Sequence, residues 1–231
     1  MTTIQKLIGV MALIAASTVL TQAANTCPLL TLPKGEDGPG VIGKRYVETG
    51  IGFWDEAHTS HNTYGTGISA NLPICTGLDL SGGYSYSWFN RDPFTSKQHN
   101  LGGSATFYNT AEDGIKPFVS LGLGYTFYDE NLDKGWVFAN DRKNHHGTDY
   151  VNWNATVGAE FPYKWVSVIP TITYNDDMRR TKKSTQSFVY STEVNTWITP
   201  RVGIYASVSY YAAQHISSQT WGGGLGVRVR F

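Results

Sequence analysis

The sequence predicts an all-β protein, a transmembrane antiparallel up-and-down β-barrel with ten strands, eight being the alternative count. Three observations predict it. Most of the chain after residue 43 alternates between two faces, the more polar face is built from small residues, and the connections alternate between short and long. Segments of about ten residues are long enough to cross a membrane at a tilt.

The alternation has a period of two, which is the period of a β-strand. In the segment 77–89 one face carries Leu78, Leu80, Gly82, Tyr84, Tyr86 and Trp88. The opposite face carries Asp79, Ser81, Gly83, Ser85 and Ser87. The same split predicts strands over 44–55, 62–73, 77–89, 98–109, 117–128, 149–161, 166–175, 185–196, 201–211 and 220–231.

The polar face distinguishes a membrane barrel from a soluble β-sandwich, which also alternates. A sandwich exposes its polar face to water and commonly fills it with Lys, Glu and Arg, whereas Gly, Ser, Thr and Asn predominate here. Small residues of this kind fit inside a narrow tube. Tyr and Trp near the strand ends are typical of the aromatic girdles at the two membrane surfaces, so the sequence favours the barrel.

The connections between the predicted strands fall into two alternating classes. The short ones are 73–76, 109–115, 162–165 and 197–200. The longer and generally more charged ones are 55–61, 90–97, 129–148, 176–184 and 212–219. Transmembrane barrels have short periplasmic turns and longer outer loops, and an even number of strands puts both chain ends on the periplasmic side.

Composition excludes other classes of protein. The chain has 231 residues, with 18 Lys and Arg balanced by 18 Asp and Glu. A balanced charge argues against a nucleic-acid binder, which needs a basic face. An aromatic content of 13% argues against disorder. After residue 23, no apolar run is long enough for a membrane-spanning helix.

The N-terminus has the layout of a secretory signal peptide. Lys6 and the free amine supply a positive end, residues 7–20 are uncharged and mostly apolar, and small residues near position 23 offer a cleavage site. We therefore expect residues 1–23 to be a signal peptide, 24–43 an extended periplasmic lead-in, and 44–231 the barrel.

The chain has two cysteines, Cys27 in the lead-in and Cys75 in a predicted periplasmic turn. The residues before Cys27 lack the aliphatic and small residues of a lipoprotein signal, so no lipid attachment is expected. Both cysteines are predicted on the oxidising periplasmic side, where a disulfide could tie the lead-in to the barrel. Two unpaired thiols are the alternative, because spacing does not determine geometry.

The C-terminal residues resemble the assembly signal of bacterial outer-membrane proteins. The last strand ends in Gly226, Val229 and Phe231 at the positions where that signal has its characteristic residues. Together with the leader, this ending makes the chain similar to the small outer-membrane barrels of Gram-negative bacteria, a superfamily that includes porins and eight-to-ten-stranded proteins. The resemblance implies an outer-membrane location and insertion by the barrel-assembly machinery.

By parity, the inner face carries a few charged residues close to the predicted periplasmic turns or the termini. They are Glu48, Asp79, Glu160, Glu193, Arg228 and Arg230, with Lys116 near a turn. The first and last strands of a closed barrel must pair, so Glu48 is expected beside Arg228 or Arg230. Charges in a narrow lumen need partners, which predicts a network that plugs the base. A ring that selects ions in a small channel is the alternative.

Catalytic and metal-binding motifs are weak. The pairs His58/His61 and His145/His146 offer imidazoles in predicted loops without other metal ligands, so no metal or cofactor is expected. His58 with Ser60, and His215 with Ser217, match the His-x-Ser pair of lipid A deacylases, but outside that family's structural context. The pair 176–177 resembles the acidic pair of omptin proteases without the accompanying Asp–His couple.

The expected function is therefore non-catalytic. It is a small porin-like or structural role in the outer membrane, with passive transport or surface contact through the outer loops. Outer-membrane lipids and lipopolysaccharide are the expected partners, since the basic stretch 179–183 could contact lipopolysaccharide phosphates. A surface enzyme is one alternative, and an adhesin that binds through the long loop 129–148 is the other.

Overall fold

A computed structural model describes residues 38–56, 62–91, 94–109, 111, 114–128, 149–178, 186–213 and 219–231. These residues form ten strands: β1 (Tyr46–Glu56), β2 (Asn62–Cys75), β3 (Leu78–Arg91), β4 (Phe94–Tyr108), β5 (Lys116–Tyr128), β6 (Tyr150–Tyr163), β7 (Val166–Asp177), β8 (Ser187–Trp197), β9 (Val202–Ala213) and β10 (Gln219–Arg230). Within the described ranges, no helix combines the length and apolar character needed to cross a membrane.

The strands close into an antiparallel barrel in which each strand pairs with its neighbours in sequence, and β1 pairs with β10. Gly50 of β1 lies opposite Gly226 of β10 and Gly67 of β2, and the β1–β10 register runs without a shift from Tyr46 to Glu56. The predicted ten-stranded up-and-down barrel is confirmed. Observed strand ends lie within four residues of the predicted ones.

One end of the barrel, called the base below, carries the tight turns, the start of β1 and the end of β10. Thr76 and Gly77 connect β2 to β3, and Lys164 and Trp165 connect β6 to β7. Gly77 has a φ of +93° and Lys164 a φ of +53°, the left-handed backbone that two-residue turns require. The base is the end that the sequence predicts to be periplasmic, because transmembrane barrels have their short turns on that side.

Strand register places small residues inside the barrel and large apolar residues outside, as the alternation of the sequence dictates. Ile51, Leu101, Leu123 and Leu225 all point outward, and each has more than half of its surface exposed. A small buried apolar cluster lies inside the base and consists of Val41, Ile42, Tyr108, Phe118 and Ile169. Two of its members come from the segment that precedes β1.

Candidate functional site

Residues 38–45, called the lead segment below, enter the base of the barrel. Val41 and Ile42 are buried among the inward side chains of β4, β5 and β7. The N–H of Val41 donates to Oε1 of Glu160 at 2.6 Å, and the N–H of Ile42 donates to Oε2 at 3.3 Å. Glu160 is fully buried, and these charge-assisted bonds satisfy a carboxylate that would otherwise be costly to bury.

The lead segment passes very close to this carboxylate at Gly40. A Cβ at position 40 would lie 2.7 Å from Oε2 of Glu160, so a larger residue would push the two apart. Ser167 of β7 donates to Oε1 of the same carboxylate at 3.1 Å. The position of the lead segment therefore depends on a glycine and one buried carboxylate.

A second carboxylate holds the next residues of the lead segment. Oδ2 of Asp79 accepts from the N–H of Gly43 at 2.8 Å and from Nδ2 of Asn71 at 2.9 Å. Nδ2 of Asn71 also lies 2.9 Å from the carbonyl of Lys44, and Nζ of Lys116 donates to the carbonyl of Ile42 at 2.9 Å. Backbone groups of the lead segment thus find partners on three different strands.

The start of the lead segment is held by the last strand and by β8. Nη2 of Arg230 donates to the carbonyls of Gly38 and Gly40, at 2.9 and 3.2 Å. The guanidinium lies 3.4 Å from the ring centroid of Trp197, whose indole N–H donates to the carbonyl of Pro39 at 2.9 Å. The two ends of the described chain are therefore joined at the base.

Above the lead segment lies a charged cluster centred on Arg228, which is almost completely buried. Its Nε donates to Glu48 at 2.6 Å, while Nη1 and Nη2 donate to the two oxygens of Glu193 at 2.9 and 3.1 Å. The guanidinium carbon lies 5.2 Å from the ring of Tyr46 and 4.3 Å from that of Tyr205. The bidentate pair with Glu193 and the two aromatic rings hold the guanidinium in a fixed position across the lumen.

The lumen holds a cavity of about 650 Å³ beyond this cluster, called the chamber below. Glu48 is the only charged residue that lines it among the described ones; the rest are mostly Gly, Ser, Thr and Asn. A smaller cavity of about 190 Å³ separates the lead segment from Arg228. The described lumen is thus a polar chamber above a filled base.

One side of the lumen, next to the chamber, is made of glycines, called the glycine wall below, that lie side by side on β10, β1 and β2. It consists of Gly50, Gly52, Gly65, Gly67, Gly222, Gly224 and Gly226. The indole of Trp54 lies on this wall, where a Cβ at Gly52 or Gly65 would be 3.0 or 3.1 Å from it. The ring of Tyr205 covers Gly50 and Gly226. Without side chains on these glycines, two large aromatic rings fit flat inside the lumen.

The outer surface has the banded pattern of a membrane barrel. Aliphatic side chains occupy the middle of the strands, and aromatic side chains form one band toward the outer end and another at the base. In the outer band, Tyr64 stacks with Trp88 at a centroid distance of 6.0 Å, and Tyr210 contacts Trp221 at 4.8 Å. Tyr163, Trp165 and Phe231 are all exposed at the base. An apolar band between two aromatic girdles is the surface pattern of a transmembrane barrel.

The chain is a closed ten-stranded β-barrel whose outer surface carries the apolar band and aromatic girdles typical of membrane barrels. No family model and no curated protein matches it. Solved barrels similar to it include Neisserial surface protein A, at 17% identity over 81% of this chain and 97% of that chain, with a TM-score of 0.39. An outer membrane channel from Pseudomonas putida F1 has 8% identity over 86% and 100%, with a TM-score of 0.49. The N-terminal β-barrel domain of Pseudomonas aeruginosa OprF has 15% identity over 81% and 98%, with a TM-score of 0.34.

The predicted lumen charges all lie on the inner side of the barrel, but they do not form one ring. Glu48, Glu193 and Arg228 form the cluster below the chamber. Asp79, Glu160 and Arg230 lie lower and bind the lead segment. The lower group shows that the lead segment, predicted as part of an extended lead-in, enters the base, where residues 40–42 are buried.

The other predicted residues are distributed as follows. Val229 and Phe231 of the assembly signal point outward and are about half and two thirds exposed, whereas Gly226 lies under Tyr205 in the lumen. Cys75 is buried and disulfide-bonded. Outside the described residues lie the signal peptide, Cys27 and the loop positions His58, His61, Ser60, His145, His146, His215, Ser217 and 179–183.

Asp176 and Asp177 lie at the outer end of β7. Oδ2 of Asp176 is 3.4 Å from both the hydroxyl of Tyr174 and Nε2 of Gln186, and Oδ1 accepts from the N–H of Asp177 at 2.8 Å. Within the described ranges, no group of three or more His, Cys, Asp or Glu residues could hold a metal ion. The metal-free and non-catalytic expectations stay predictions.

Sequence reasoning missed the residues that receive the lead segment and the aromatic rings of the lumen. Asn71 and Trp197 are ordinary members of an alternating pattern, and nothing in their spacing predicts that they bind residues 38–44. The adjacent apolar pair Val41 and Ile42 in a Pro/Gly-rich segment was the available signal. Trp54 could also have been identified, because the alternation of the strand places its large ring on the inner face, among glycines.

Proposed function

We propose that this protein is a closed structural barrel of a Gram-negative outer membrane, which meets its surroundings through its outer loops and its lipid-facing surface. It is not an open diffusion pore, and it performs no catalysis. The observation that carries the proposal is the binding of the Val41, Ile42 and Gly43 backbone by Glu160 and Asp79. Passage through the base would require these buried bonds to break.

The charged cluster supports the same proposal. All three nitrogens of the Arg228 guanidinium donate to Glu48 or Glu193. The cluster is therefore held in a fixed position across the lumen. A selectivity ring needs charges that meet passing ions in water. Arg228 has a side-chain exposure of only 5%, and its positive charge is paired with Glu48 and Glu193.

Lipids and lipopolysaccharide are the partners that we propose for the outer surface, and the barrel-assembly machinery is the proposed partner during insertion. The exposed aromatic girdles suit contact with the membrane–water boundary. Val229 and Phe231, which resemble the assembly signal, are exposed on the outside of β10 or just beyond its end, where another protein could contact them.

The test of the proposal is planar-bilayer conductance of the refolded mature protein. The wild-type barrel should give no discrete current steps, because the lead segment and the Arg228 cluster fill the base. A variant that lacks residues 24–43 should give brief steps, because the lower layer is then missing and only the Arg228 cluster lies across the lumen. Heat-modifiable mobility on a gel confirms that each barrel is folded.

The matched control is a double variant, Glu160→Gln with Asp79→Asn, which keeps the full length but weakens the acceptors of the lead segment. It should conduct in bursts, between the wild type and the truncated variant. Stable, reproducible steps from the wild-type protein would overturn the closed barrel and favour a small porin.

A further inference from the structure

We propose that the chamber is a binding site for a neutral, hydroxyl-rich small molecule of the sugar class. The proposal goes beyond the closed barrel, because a barrel that transmits nothing has no need of a large polar cavity. Its volume of about 650 Å³ lies within the range of small-molecule sites, about 300–1,000 Å³. Three features of the chamber wall identify the class of ligand.

The first feature is an exposed aromatic face. Trp54 points into the lumen, lies on the glycine wall and still has 37% of its surface exposed. The close contacts with Gly52, Gly65 and Gly222 hold the indole against the wall, so that its other face is turned to the cavity. A flat, fixed aromatic face is suited to the apolar C–H face of a sugar ring, which offers weak contacts to a π-system.

The second feature is a wall of amides and hydroxyls on β4, β5 and β6. Nδ2 of Asn100 and Nδ2 of Asn152 both donate to Oγ1 of Thr126, at 2.8 and 2.7 Å. These two bonds leave each amide with its carbonyl oxygen and a second N–H proton. Asn154 and Thr156 continue the wall toward the base. Side chains that both donate and accept are the partners that sugar hydroxyls require.

The third feature is neutrality. Glu48 is the one charged residue on the described lining, and its two oxygens already accept from Ser69 at 2.7 Å and from Arg228 at 2.6 Å. An anionic or cationic ligand would enter the chamber without an opposite charge available to it, and its desolvation would be unfavourable. A polar but uncharged ligand exchanges its hydrogen bonds with water for those of the wall.

Isothermal titration calorimetry on the refolded mature protein tests the site with maltose and N-acetylglucosamine as neutral probes and glucuronate as an anionic one. The detergent must have no sugar headgroup, because alkyl maltosides and glucosides would compete. At least one neutral probe should bind saturably with a Kd in the range of about 1 mM or tighter. Glucuronate should bind at least about tenfold more weakly.

Two variants of the same residue type locate the binding. Trp54→Leu removes the aromatic face inside the lumen and should weaken binding about tenfold. Trp221→Leu is the matched control, because Trp221 points outward from β10. It lies close to the site, since the next residue, Gly222, is paired with Trp54. Binding to this variant should stay as in the wild type. Asn152→Leu, on the amide wall, should also weaken binding, and it tests the site if Trp54→Leu does not refold.

Saturable binding of a neutral probe that Trp54→Leu or Asn152→Leu weakens and Trp221→Leu leaves unchanged supports the chamber as the site. The absence of saturable binding for both neutral probes overturns the proposal. Binding that the two lumen variants leave unchanged overturns it as well, and equal binding of glucuronate overturns the assignment to a neutral ligand.

Discussion

The backbone N–H of Val41 donates a 2.6 Å hydrogen bond to Oε1 of Glu160, which lies 119 positions later in the chain. Glu160 has no exposed surface, and its other partners are Ile42 and Ser167. The bond joins a segment without secondary structure to the middle of the barrel sequence. It is one of the contacts that hold the lead segment in the base.

Replacing Glu160 by Ala should release the lead segment and lower the free energy of unfolding. Three donors lose their acceptor, and a buried unpaired donor costs about 1–3 kcal/mol. Urea unfolding followed by tryptophan emission measures the loss, and limited proteolysis near residues 38–44 measures the release. Asp55→Ala, an exposed carboxylate near the outer end of β1, should change neither. Unchanged protection of residues 38–44 in the Glu160 variant would show that other contacts hold the segment.

Replacing Arg228 by Leu should destabilise the barrel more than any other single change in the cluster. Glu48 and Glu193 would remain in the lumen without their cation, and breaking a buried ion pair on one side costs about 3–5 kcal/mol.

The triple variant Arg228→Leu, Glu48→Gln, Glu193→Gln is the control, because it removes the unpaired carboxylates as well. It should recover most of the lost stability in the same urea titration. If Arg228→Leu alone were as stable as the wild type, water would hydrate the carboxylates of Glu48 and Glu193 in place of the arginine.

Replacing Gly226 by Ala should impair folding of the barrel in vitro. A Cβ at this position would overlap the ring of Tyr205 and the carbonyl of Thr49, and overpacking of this kind costs about 1–3 kcal/mol. Gly82→Ala is the matched control, since a Cβ there meets only the carbonyl of Gly102, at 3.7 Å. The fraction of heat-modifiable protein after refolding compares them. Equal fractions would show that Tyr205 can move away.

We predict that Cys75 pairs with Cys27, since the chain has two cysteines and Cys75 is disulfide-bonded. Mass spectrometry of a non-reduced digest should find the two cysteine peptides linked within one monomeric chain. Cys27→Ser should leave Cys75 as a buried thiol that reacts with maleimide only after unfolding. Linked peptides found only in a dimer band would contradict the intramolecular pairing.

The strands could be predicted from the sequence because each carries its own signal. The alternation in Leu78–Arg91 separates Tyr84 and Tyr86 from Ser85 and Ser87, and the structure puts the tyrosines outside. Parity also placed Glu48 and Arg228 on one face of neighbouring strands, and their side chains meet at 2.6 Å. Local periodicity is sufficient for such inferences because every strand of a barrel has the same environment on each face.

The entry of the lead segment into the base could not be predicted in the same way. Residues 38–44 have no period, and their partners Asp79, Glu160 and Arg230 are far away in sequence. Contacts between an irregular segment and distant side chains leave no pattern that a single sequence reveals. The chamber is similar, because its shape depends on seven glycines from three strands and on the ring that lies across them.

The position of the lead segment has a consequence for the order of folding. Gly38 and Gly40 bind Arg230, 192 and 190 positions away, and β10 must be in place before that partner exists. Contacts at such separations form late, because the intervening chain has to be ordered first. The first residues of the described chain therefore reach their final positions last, after β10 has paired with β1.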